Sequence, residues 1–123
     1  MKFIRHTIPI YYGYFYISYA SSQEELEQLQ KKFKIVKLPD DFDLASCSAF
    51  SYAEPINGYN RYFIFLHNHR NNPGIIAHEC AHVADSIFSH IEAALDPEND
   101  EPYCYLLGWL VNKVHKFNSS YNK

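Results

Sequence analysis

At 123 residues, with 47% hydrophobic and 17% aromatic side chains, the chain has the size and apolar content for one core, read as a single domain over residues 1–123, and is too apolar for a disordered segment. A net charge of −3 without a basic block argues against nucleic acid or an anionic membrane surface as a partner. No run of 18 apolar residues is present, so no membrane span is expected, and Met1–His6 lacks the apolar stretch of a secretion signal. Cys47, Cys80 and Cys104 are odd in number and scattered, which points to a reducing, cytoplasmic compartment rather than a disulfide framework. Cys80 and Cys104 fall in predicted core helices and read as small buried hydrophobes.

Residues 3–19 are rich in Ile, Tyr and Phe and are broken by Pro9 and Gly13. They read as two short strands or one bent one, with the Tyr cluster paving a sheet. Ser21 or Ser22, paired with Glu24 or Glu25, fits a capping box opening a helix. Leu26, Leu29 and Phe33 form its thin apolar stripe, and its charges run from acidic to basic as the helix dipole prefers.

Residues 46–54 and 61–67 then read as a hairpin around Asn57-Gly58, a strong turn signal. In the second strand Tyr62, Ile64 and Leu66 alternate with Arg61, Phe63, Phe65 and His67. Its edge is a candidate for pairing with an extended peptide. The polar loop 67–72 contains His67 and His69, read as loop residues before ligands, with a substrate or oxyanion contact as the role of His67 should it face the site. Asn72 is the expected N-cap of the next helix and Pro73 a suitable first-turn residue.

That helix carries His78-Glu79-Cys80-Ala81-His82, an H-E-x-x-H pattern. Residues four apart share a helix face, so both imidazoles can reach one zinc ion, while Glu79, about 100° round, lies beside it as a general base would. His82, Asp85, Ser89 and Ile75 fall close to His78 on the wheel, with Glu79 and Ser86 at the border. Ile76, Cys80, Val83, Ala84, Ile87, Phe88 and Ile91 occupy a wide opposite arc, so a core helix with one polar strip is expected.

A final helix is predicted from Pro102 and Tyr103 to about Asn118, with Tyr103, Leu106, Leu107, Leu110, Val114 and Phe117 as its apolar arc. Gly108 is expected to let a neighbouring helix approach closely. Catalytic zinc takes three protein ligands and keeps one position open. Glu101 is the preferred third ligand, because a carboxylate from a separate helix closes a pocket. Asp100 and Asp85 are the alternatives, with Asp85 also suited to orienting a histidine. Tyr105, one turn beyond Glu101, is the candidate donor to a developing oxyanion.

The H-E-x-x-H helix followed by Asn99-Asp100-Glu101-Pro102-Tyr103-Cys104-Tyr105-Leu106-Leu107-Gly108-Trp109 resembles the gluzincin branch of zinc metallopeptidases, and more narrowly the small metallopeptidase-like proteins encoded by tailed bacteriophages. The resemblance covers roughly residues 60–117. It implies a minimal α+β zincin, in which a small antiparallel sheet packs on the active-site helix and a C-terminal ligand helix. It also implies a host-cytoplasm or virion setting and a peptide or protein substrate. The expected activity is zinc-dependent hydrolysis, with Glu79 taking the proton of a metal-bound water. The alternative is a non-catalytic protein, zinc-stapled or metal-free, acting as a virion or assembly component. A hydrolase of small amides is a third reading.

Overall fold

The alternation in residues 61–66 decides the architecture, because all six of these side chains are buried, on one face or the other. The computed structural model describes residues 2–35, 49–56, 59–68 and 70–121. In chain order the elements are β1 (Lys2–Thr7), β2 (Tyr14–Tyr19), α1 (Gln23–Lys32), β3 (Ala49–Ile56), β4 (Tyr59–Leu66), α2 (Pro73–His90) and α3 (Glu101–Tyr121). The strands form one sheet in the order β1-β2-β4-β3. Asn57-Gly58, the expected turn, and His69 and Cys47 lie outside the described residues.

The α+β class agrees with expectation, but the sheet is mixed rather than antiparallel. β1 pairs β2 and β3 pairs β4 antiparallel, whereas β2 and β4 run parallel, with Tyr14 opposite Arg61 and Ile17 opposite Ile64. A parallel pair needs a long crossover, which here contains α1 and β3. β4 is therefore an inner strand, hydrogen-bonded on both sides, and among the described residues the edge expected of it belongs to β3.

The even residues of β4, with Phe15 and Ile17 of β2, pack against Cys80, Val83, Ala84 and Ile87 of α2 and Leu106, Leu110, Val114 and Phe117 of α3. Phe63 and Phe65 face the other way, onto Leu26, Leu29 and Phe33 of α1. Two helices thus cover one face and one helix the other. Burying such side chains contributes about 1.5–3 kcal/mol each.

Local signals set the helix ends. Ser22 caps α1 by accepting from the Glu25 N–H, and Glu25 returns a carboxylate oxygen to the backbone N–H and hydroxyl of Ser21. Asn72 caps α2 by accepting from Ile75 N–H, with Pro73 in the first turn. α2 and α3 are antiparallel: Tyr103 meets Asp85 and Phe88, and Asn118 Nδ2 donates to the Arg70 carbonyl.

Two glycines act oppositely. Gly13 has φ +116°, and a Cβ there would lie 2.6 Å from the Asn60 carbonyl oxygen. Gly108, expected at a close helix approach, is exposed, and a Cβ there would meet nothing within 4 Å. Gly13→Ala is expected to destabilise the fold by about 2 kcal/mol or more. Gly108→Ala is expected to stabilise it by up to about 1 kcal/mol, because it only removes a helix-interior glycine. Urea unfolding of the two variants beside the parent checks both signs.

Candidate metal centre

Packing of α2 on the even face of β4 fixes the rotation of the helix. With Ile76, Cys80, Val83, Ala84, Ile87 and Phe88 buried, the strip of His78, His82, Asp85 and Ser89 is exposed. The Nε2 atoms of His78 and His82 lie 3.2 Å apart, their ring planes 81° to one another. Two nitrogen lone pairs at that distance repel unless something positive sits between them, either a proton on one ring or a cation shared by both. With Zn–N bonds of about 2.0–2.1 Å, this separation subtends about 100–105° at a common ion, close to a tetrahedral angle. The donor pair therefore fits zinc.

Glu79 stands at the border of the strip and is 8% exposed. It lines two adjoining depressions between α2 and β3. One, of about 600 Å³, is bounded by residues 50–53 of β3 and by Glu79, His82, Val83, Asp85, Ser86 and Ser89. The other, about 390 Å³, is bounded by Ala49, Asn72, Gly74, Ile75, His78 and Glu79. Each histidine thus belongs to one depression, and Glu79 lines both.

Glu101 is not brought to this pair. It is exposed in the first turn of α3, two residues before Tyr103. The antiparallel register that places Tyr103 against Asp85 and Phe88 leaves Glu101 on the order of 10 Å along the helix axis from His82. Asp100 precedes it and shares that displacement. Among the described residues, no third His, Cys, Asp or Glu joins the two imidazoles in a group able to hold a metal. Tyr105 is 75% exposed and lines a different groove, with Pro9, Ile10, Tyr11, Pro102, Leu106 and Trp109. None of these residues comes from α2.

Asp85 lies on the wall of the larger depression and accepts a 2.8 Å hydrogen bond from the Tyr103 hydroxyl. Loss of hydration, together with the Asp85 carboxylate, pushes the Tyr103 phenol up to about 12. Periodicity assigned Tyr103 to packing alone; the hydroxyl pairing with Asp85 becomes visible only once the helices are docked. His67 Nδ1 donates to the Ala20 carbonyl at 2.8 Å, so this histidine ties the end of β4 to the start of α1. The Tyr62 hydroxyl reaches His90 Nδ1 at 2.7 Å, a buried phenol satisfied by the last turn of α2. Cys80 is buried as expected, its thiol pushed up to about 12 by loss of hydration and by Glu79, whereas Cys104 is exposed, in contrast to its predicted burial.

No helix among the described residues is long and apolar enough to cross a membrane. Compared with known proteins, the chain matches no family model, no curated protein and no solved structure.

A phenol held neutral by the fold stabilises it below its unfolded pKa, and that contribution is lost as pH rises through the folded one. For Tyr103 the window runs from 10 to about 12. Tyr62 is shifted in the same direction by burial. Tyr103→Phe should therefore flatten, without abolishing, the fall in urea-unfolding stability across that window.

Proposed function

We propose that this protein is a zinc-dependent hydrolase of peptide-like substrates, in which His78 and His82 hold the ion and Glu79 is the general base. The observation that carries this reading is the 3.2 Å approach of two Nε2 atoms beside a largely buried carboxylate, in the wall of a groove. The ion, when bound, supplies Lewis acidity. The part of the protein follows from where its side chains stand. His78 and His82, one turn apart on a helix anchored by its opposite face, present their lone pairs together. In this reading Glu79, on the same turn, takes a proton from a nucleophile in the groove and returns it to a leaving amine.

Substrate binding is assigned to β3 rather than β4. Among the described residues β3 is the last strand on its side of the sheet, and it borders the groove. An extended peptide can add to such an edge through main-chain hydrogen bonds. The groove also carries Ser86, Ser89 and Asp85, polar groups for orienting a substrate amide.

The second reading is a non-catalytic, zinc-stapled or metal-free interaction protein. It is favoured by the lack, among the described residues, of a third ligand beside the histidines. Two imidazoles bind more weakly than a three-ligand site, so affinity is itself informative.

Metal analysis after equilibration with Zn²⁺ should find one ion per chain, lost in His82→Ala. Glu79→Gln should retain the ion and lose peptide hydrolysis by at least about 100-fold, the usual scale for a general base. Zinc without turnover in the parent protein would support the staple, and no zinc at all the metal-free protein. Glu101→Ala should leave zinc affinity unchanged; a weakening of about tenfold or more would return Glu101 to the ligand set.

A further inference from the structure

On the opposite face of the sheet, away from the histidines, a groove of about 570 Å³ is lined by Phe3, Arg5, Tyr16, Lys32, Phe33, Lys34 and Arg61. Four of the chain's eleven basic residues converge there, although the whole molecule carries a net charge of −3. They come from three separate segments, β1, the end of α1 and β4, and the strand registers bring Arg5 and Arg61 together. Arg5 pairs opposite Tyr16 and Tyr16 opposite Phe63, while Arg61 lies opposite both Tyr14 and Glu54, so two neighbouring rows of side chains on the α1 face bring Arg5 and Arg61 together. α1 is only ten residues, about 15 Å, and ends at these rows. Its last turn adds Lys32, and the residue after its cap adds Lys34.

Like charges gathered on one face repel unless counter-charge is supplied. Glu54 supplies one, pairing with Arg61 Nη2 at 2.7 Å. Arg61 Nη1 donates to the Phe33 carbonyl at the end of α1. No Asp or Glu lines the groove among the described residues. Arg61 is itself 7% exposed, and its Nε–H has no acceptor among the described residues. That Nε–H is enclosed by the protein, so what Arg61 brings to the groove wall is its charge.

We propose that this groove is a binding site for a small phosphate-bearing ligand, its phosphate held by Arg5, Lys32, Lys34 and the edge of Arg61. A phosphate brings up to two negative charges and several acceptor oxygens, matching the three cations not offset by Glu54. The volume lies in the range of small-molecule sites, enough for a mononucleotide. Phe3, 39% exposed at the rim, offers an aromatic surface beside the cations, with Lys32 Nζ 5.1 Å from its ring centre. The site is independent of the proposed metal centre, and its failure would leave that reading untouched.

The test is isothermal titration of the chelator-treated full chain with inorganic phosphate and, separately, with AMP, at low ionic strength. The comparison protein is the double variant Arg5→Gln/Lys34→Gln, which changes two exposed side chains and spares Arg61. Binding by the parent, weakened at least about tenfold in the double variant, is expected. Equal affinity for the two probes would assign the site to phosphate itself; AMP tighter by about tenfold or more would assign it to a nucleotide. Either result supports the site. Absence of binding at millimolar probe, or identical binding by parent and variant when both have the same circular dichroism, would overturn it.

Discussion

The molecule depends on β4 being sealed from both sides. Tyr62, Ile64 and Leu66 demand cover on one face, and Phe63 and Phe65 on the other. The first demand is met by α2 and α3, the second by α1. Once α2 turns its apolar arc to β4, its rotation is no longer free, and everything at the histidine site follows from that angle. His78 and His82 emerge at the rim, and Glu79 stays at the boundary between core and groove. A slip of β4 by one residue would exchange its faces and present Arg61 to α2 and α3 in place of Tyr62. The hydrogen bonds that Arg61 donates to Glu54 and to the Phe33 carbonyl oppose such a slip.

What could be read in the linear chain was whatever rests on local periodicity or local hydrogen bonds. The alternation of β4, the Asn72 cap, the Ser22–Glu25 box and the buried arc of α2 all involve residues within about one or two turns of each other. What escaped was relative placement. A helical wheel ranks faces but contains no information on how far one helix slides past another. Glu101 could thus be assigned a plausible face of α3 and still stand well along the axis from His82. The same blindness applies to Gly108 and Cys104, which point to solvent rather than into a helix contact. The parallel β2–β4 pair was equally hidden, because neighbours in a sheet need not be neighbours in sequence.

The two candidate sites illustrate that division. The histidine pair is a local feature: two residues on one turn, readable before any folding is considered. The basic groove is wholly a product of topology. Arg5, Lys32, Lys34 and Arg61 come from β1, the end of α1 and β4, and no stretch of sequence is basic enough to announce them. Motif reading is sensitive to the first kind of site and insensitive to the second.

The parallel register of β2 with β4 carries a kinetic consequence. Tyr14 meets Arg61 and Tyr19 meets Leu66, partners 47 residues apart. The β3–β4 hairpin and α1 can each gather through short-range encounters, but the sheet becomes continuous only when that long loop closes. Loop closure must be endured before its contacts reward it, so the chain should mature more slowly than a helical protein of equal length. Until it does, the flank of β4 that will meet β2 remains open to solvent and to other chains.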